Sequence, residues 1–445
     1  MKKTLKHFLI ALLGGAFALA LLLTPVQAPP PAYAQGDGVE FWAVIAGVSD
    51  YMELSDLDFC HSDAEDLAAE LAPVWGEDHI QLLTDANATQ NNIGGAITDW
   101  LAPLEDENDV VLFFFSGHGG RNILCPYDSL LDSYANDIFT SELNSWLEVL
   151  DSQNIIVIID TCMSGSFVRD AAGSGWVVMS ACGANEDAYD DHGLRHGVFS
   201  YYLIEAFQEF ETADANGDYE LSIEEIFNYA QPRTTEYEPT QHPEMGDEYP
   251  GELVLLIRVT FDVETDTPQD VDILTIAGES YSPAELPVSF TWAPGSSCDF
   301  ELVSSVPGEN GTEHAFNSWS DGSTATSGTI EHGGIYTANY QTQYYLTVIS
   351  AYGDPQGEGW YPPGSTATIS VASPQGGIIR QVFSAWSGDF YTTTPSAFIY
   401  MNGPMTVTAS WRADYLFLFI IAGAGGLVLI GGIAAWVIIM VRKRV

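Results

Sequence analysis

The chain has 445 residues, room for two or three domains, and sets 61 acidic residues against 13 basic ones for a formal charge of −48. That balance excludes a nucleic-acid partner and repels anionic lipid, while it attracts cations and suits high salt, where screening relieves self-repulsion. Five cysteines are too few for a disulfide scaffold, and their pairing cannot be read from the sequence.

Residues 1–34 read as a secretory signal: three lysines, an apolar run from Phe8 to Leu23, and a small-x-small cleavage site at Ala32-Tyr33-Ala34. From Gln35 to Asp414 there are seven arginines, no lysine and all 61 acidic residues. The next segment, 35–259, alternates strand and helix signals. Strands are expected at Phe41 to Gly47, His79 to Leu83, Asp109 to Phe115, Asn154 to Asp160, Trp176 to Ser180 and Glu252 to Leu256. Helices are expected at Asp63 to Leu71, Asn91 to Leu101, Ser141 to Leu150 and Val198 to Phe210. Such alternation predicts an α/β domain, a mainly parallel six-stranded sheet flanked by helices.

Two of these strands end alike. Asn154 to Asp160 is an apolar β-branched run that breaks into Thr161-Cys162-Met163-Ser164-Gly165, and the run ending at Phe115 breaks into Ser116-Gly117-His118-Gly119-Gly120. Open α/β sheets bind ligands at this edge. A cysteine and a histidine on neighbouring strand ends make a nucleophile with a general base. Taken singly, each is more commonly a buried thiol or a satisfied imidazole.

Between the last helix and strand lies Asp214-Ala215-Asn216-Gly217-Asp218-Tyr219-Glu220, followed by Glu225. Asp214, Asn216, Asp218, Glu220 and Glu225 fit an EF-hand ligand spacing, although Tyr219 stands where a glycine is expected. The alternative is a polar loop capping a helix that starts at Ser222.

From about Thr260 the composition turns to Thr, Ser, Gly, Tyr and Trp in short alternating runs. Phe316-Asn317-Ser318-Trp319 and Phe383-Ser384-Ala385-Trp386 repeat at an offset of 67. Two small β domains are expected, at 260–341 and 342–414. They resemble the internalin-type repeats of bacterial and archaeal surface proteins, which implies a stalk. Residues 415–441 are uncharged, mostly apolar and long enough to span a bilayer, and the tail 442–445 carries Arg442-Lys443-Arg444. The basic tail predicts a single-pass protein with a cytoplasmic C-terminus and the bulk of the chain at the cell surface.

The paired motifs, with His118 44 residues before Cys162, resemble the caspase-like cysteine peptidases and are closest to metacaspases and their prokaryotic relatives. The resemblance covers roughly Phe41 to Arg258. It implies that Cys162 is the nucleophile, that His118 is the base and then the acid, and that the Gly119 and Cys162 amides form the oxyanion hole. It further implies a specificity pocket for arginine or lysine formed by Asp63, Ser116 and Asp160, with Asp63 in a Cys60-His61-Ser62-Asp63 element. An acid at Asp160 would otherwise impair the thiol by raising its pKa. The expected substrate is a protein or peptide, no cofactor is required for the chemistry, and calcium is expected at the 214–225 loop. Two alternatives share these residues: a surface binding protein with a vestigial peptidase domain, and a transpeptidase.

Overall fold

The structure is a computed structural model that describes residues 38–170, 175–264, 270–377, 379–415 and 436. The expected leader at 1–34 lies outside the described residues, as do the basic tail and all of the apolar span except Tyr415 and Trp436. Among the described residues no helix is long and apolar enough to cross a membrane.

Continuous β-branched and aromatic runs build the centre of the N-terminal half. Strands β1 (Phe41–Gly47), β2 (Ile80–Thr84), β3 (Val110–Ser116), β4 (Asn154–Asp160), β5 (Val177–Ser180) and β6 (Glu244–Asp247) form one sheet in the order β6-β5-β4-β3-β1-β2. The first five run parallel, and β6 lies antiparallel on β5 at the edge. The sixth strand is therefore not the expected one. Residues 252–256 carry the stronger apolar pattern, but that run belongs to β7 (Val254–Glu264), which lies in a second sheet. Glu244-Met245-Gly246-Asp247 has no such pattern. An edge strand needs main-chain partners on one side only, and here Met245 alone packs against the core.

Alternation divides the strand residues between two cores. Phe41, Ala43, Ile45, Leu112, Phe114, Ile156 and Ile158 face α1 (Cys60–Trp75), α5 (Val198–Gln208) and α6 (Ile223–Tyr237). Trp42, Val44, Ala46, Phe113, Phe115, Val157 and Ile159 face α2 (Gln90–Gly95), α3 (Thr140–Leu147) and α4 (Gly165–Asp170). A strand buried on both faces must be apolar at every position, which is why these segments read as unbroken runs. Each fully buried side chain of this size contributes about 1.5–3 kcal/mol.

The second sheet joins the N-terminal half to the C-terminal units. Strand β7 pairs antiparallel with Glu220–Ser222 and Val288–Trp292, and parallel with β9 (Gly334–Ile349). Strand β9 in turn pairs with β8 (Thr312–Trp319) and β11 (Met405–Asp414), and β11 with β10 (Arg380–Gly388). One strand thus crosses the position where the composition changes, and another links both β units. The sequence repeat is also a structural one. Register shifts fall between Phe316 and Ser318 in one copy and between Phe383 and Ala385 in the other. Trp319 and Trp386 are both buried, donating Nε1 to the Ala325 and Pro395 carbonyls.

Asp109 ties β1 to β3. Its carboxylate is buried and accepts from Glu40 N at 2.6 Å, Asp106 N at 2.9 Å and Trp42 Nε1 at 3.2 Å. Asp109→Ala leaves three donors unmatched and is expected to lower the unfolding free energy by about 2–3 kcal/mol, read from the denaturant midpoint. Asp109→Asn, which keeps one acceptor oxygen, is expected to lose less.

Candidate active site

Strand register brings the two motifs together. Strands β3 and β4 pair in parallel with Ser116 directly beside Asp160. Both share the parity of Phe114 and Ile158, so both side chains point to the α1/α5 side of the sheet. Asp63 on α1 and Ser200 on α5 meet them there. Ser116 Oγ donates to Asp63 Oδ2 at 2.8 Å, and Ser200 donates to Asp160 Oδ2 from Oγ at 2.7 Å and from N at 3.2 Å. The Gly197 amide donates to Asp63, and a methyl group placed on Gly197 would lie 2.7 Å from Asp160 Oδ2 and 3.1 Å from Asp63 Oδ2. Asp63, Ser116 and Asp160 therefore converge, and glycine at 197 keeps their meeting point open.

The strands stop at Ser116 and Asp160, so His118 and Cys162 sit on the loops beyond them. His118 opens a hairpin in which Gly119 and Gly120 pair with Leu124 and Ile123. A Cβ on Gly119 would lie 2.4 Å from Thr161 Oγ1, so only glycine lets the histidine loop rest on the residue before Cys162. Because Cys125 N bonds the His118 carbonyl, Gly119 falls at a non-hydrogen-bonded ladder position and its N–H points out of the hairpin. Among the described residues the Cys162 amide donates to no acceptor. Both amides are thus free for an oxygen ligand.

His118 is fixed by partners that the sequence did not suggest. Its Nε2 lies 2.8 Å from the Ser55 carbonyl oxygen and 3.3 Å from Ser55 Oγ. A carbonyl only accepts, so Nε2 carries the proton and Nδ1 is left as the acceptor. The Tyr51 hydroxyl receives the His118 amide at 2.7 Å, and the two rings are 4.9 Å apart. The Cys162 thiol lies 3.8 Å from the Ala188 carbonyl. Burial raises its pKa, and the charges of Asp187 and Asp160 add to the shift.

The acids beside the thiol are strained electrostatically. Burial, then the Asp63 charge, push the Asp160 carboxyl up to about 7. Burial followed by Asp190 and Asp63 raises the Cys60 thiol well above its ordinary value. An imidazole faces them: His196 Nδ1 is 2.9 Å from Asp63 Oδ1, and its Nε2 is 3.2 Å from Asp66 Oδ2. Burial pulls this imidazole down, but the bond to Asp63 and the charges of Asp63 and Asp66 outweigh it and raise its pKa. His196 and Asp190 come from a short hairpin, Asp190–Asp191 against His196–Gly197, whose sequence has no periodicity to mark it.

The expected calcium ligands lie elsewhere. Their loop leads into Glu220–Ser222, which pairs with β7 in the second sheet. Asp214 accepts from the Gly217 and Tyr219 amides, Asn216 from Asp218, and Asp218 from Glu220. Glu225 accepts from Ala215, Asn216 and Ser222, completing a capping box with Ser222 at the start of α6. Tyr219 adopts the left-handed conformation, φ 67°, where glycine was expected. These side chains are turned onto the loop's own amides. Among the described residues no three His, Cys, Asp or Glu side chains are grouped to hold a metal ion.

Comparison with known families agrees with this geometry. Residues 40–250 match the family model of the caspase domain, a little under half of the chain. This part of the protein is a caspase-like α/β domain, the domain of a class of cysteine peptidases whose substrates are proteins and peptides. No curated protein matches the chain.

The raised Asp160 pKa has a stability consequence. The unfolded chain ionises this carboxyl at ordinary carboxylate pH, whereas the fold resists ionisation up to about pH 7, so the group weakens the fold progressively across that interval. Asp160→Asn is therefore expected to melt a few degrees above the wild type at pH 8, with the gap closing as pH falls to about 4.

Proposed function

We propose that this chain is a cysteine endopeptidase that cleaves after arginine or lysine, with Cys162 as nucleophile and His118 as its base. One observation carries the reading. Asp160, a buried acid, stands one strand end away from a thiol whose ionisation it opposes. That arrangement is unfavourable until a cation enters, and a basic side chain before the scissile bond supplies it.

On this reading Cys162 and His118 act in turn. His118 Nδ1 takes the Cys162 proton, and the thiolate attacks the scissile carbonyl carbon. The Gly119 and Cys162 amides receive the oxyanion. The imidazolium returns its proton to the leaving amine, which departs as the new N-terminus. Water, deprotonated by His118, then attacks the thioester and releases the new carboxylate with the thiol restored. No step draws on a metal; calcium, if bound at the 214–225 loop, serves that loop's structure. The leader at 1–34 and the apolar span at 415–441 support secretion followed by anchoring, with the peptidase outside the cell.

The test is cleavage of short fluorogenic peptides ending in Arg, Lys, Asp or Asn by the full chain, with and without calcium. Release after Arg or Lys that disappears in Cys162→Ala is expected. Release confined to Asp or Asn would keep the nucleophile and sink the pocket, and silence together with an alkylation-resistant Cys162 would point to a binding protein. Gly197→Ala, which places a methyl group between the two carboxylates, is expected to lose at least about tenfold in kcat/KM on arginine peptides while Cys162 still alkylates at the wild-type rate.

A further inference from the structure

Asp63 is fully engaged within the fold. Its Oδ1 receives His196 Nδ1 at 2.9 Å and Gly197 N at 3.1 Å, and its Oδ2 receives Ser116 Oγ at 2.8 Å and the same Gly197 amide at 3.4 Å. Three donors thus hold it, with the Gly197 amide shared between both oxygens. It is also completely buried, and the His196 imidazole already faces its Oδ1. A substrate cation reaching Asp63 would have to displace that imidazole.

Asp160 is placed differently. Its Oδ2 takes both Ser200 bonds, while its Oδ1 accepts none among the described residues. A second open oxygen belongs to Asp190. The Asp58 and Phe59 amides occupy Asp190 Oδ2 at 3.2 and 3.3 Å, but Oδ1 meets only the Cys60 thiol, 4.0 Å away. Asp190 is exposed as a residue while its carboxyl faces inward, where burial and then the Asp63 charge raise its pKa. Its position follows from the thiol itself. The segment that contacts Cys162 through Ala188 turns inward at Tyr189, whose carbonyl receives Val198 N, and delivers Asp190 to Cys60 two residues after that contact. Cys60 lies among Asp63, Asp160 and Asp190, and all three charges raise its pKa.

We propose that Asp190, together with Asp160, grips the side-chain cation of the residue before the scissile bond, and that Asp63 is a positioning residue that holds Ser116, His196 and Gly197. This rests on the basic-residue reading above. Two open oxygens from different carboxylates suit the fork of a guanidinium, which presents several N–H donors in one plane. Asp63 contributes indirectly, by fixing the hairpin that carries both Gly197 and Asp190.

The experiment compares Asp190→Asn, Asp190→Glu and Asp63→Asn in the full chain. The readouts are kcat and KM on an arginine-ended peptide, protection of Cys162 from iodoacetamide by arginine amide, and melting temperature. Asp190→Asn keeps an oxygen for the Asp58 and Phe59 amides, so its melting temperature and its unprotected alkylation rate are expected to match the wild type. Its KM is expected to rise at least about tenfold with kcat within about twofold, and arginine amide should no longer protect; Asp190→Glu should recover part of both. Asp63→Asn is expected to melt lower and yet to keep arginine protection in the folded protein. Wild-type kinetics and protection in Asp190→Asn would overturn the assignment while leaving the basic-residue reading intact. Protection lost in Asp63→Asn at an unchanged melting temperature would reverse the two roles. Failure of the wild type itself to cleave after Arg or Lys would remove the reading and this assignment together.

Discussion

The parallel pairing of β3 with β4, Ser116 beside Asp160, is the constraint on which the catalytic half depends. Side chains alternate along a strand, so this one register decides which residues meet the α1 and α5 helices and which loops leave the sheet side by side. A slip by one position would turn Ser116 and Asp160 toward the other core and bring Phe115 and Ile159 against Asp63. Four neighbouring strands, apolar on both faces, hold the register, and that burial outweighs the cost of keeping polar groups at their ends.

That cost is large because the polar groups are acids. Asp63 and Asp160 are taken from water close to each other and to a thiol, and charges of one sign so placed repel more strongly than they would in solvent. The fold offsets part of this with short bonds from Ser116, Ser200 and the Gly197 amide, and part with the His196 imidazole. The remainder appears as the raised Asp160 carboxyl and the raised Cys60 and Cys162 thiols. The fold thus carries unbalanced negative charge beside these thiols.

The sequence was legible where local pattern and final environment agree. Four of the parallel strands, β1, β3, β4 and β5, are near-continuous apolar runs because both faces are covered, and the motifs at Ser116 and Asp160 stand out because they interrupt those runs. Legibility failed where tertiary pairing decided. The run at 252–256 looked like a sheet strand and is one, but in the other sheet, whereas Glu244–Asp247 has no pattern and is placed only by main-chain bonds to β5. His196 and Asp190 reach the acids from a hairpin more than 120 residues downstream of Asp63, and nothing in its own composition marks it.

The sheet shared by the catalytic half and the β units makes the chain one mechanical object. Strand β7 pairs with Glu220–Ser222 along its first residues and with the long β9 along its last, and the Trp75 indole of α1 reaches the Leu255 carbonyl within it. A load applied near Asp414 passes through β11 and β9 into β7 as shear along main-chain ladders, with no hinge between. The border in composition near Thr260 is therefore not a border in the sheet, and a cut there would sever strand β7.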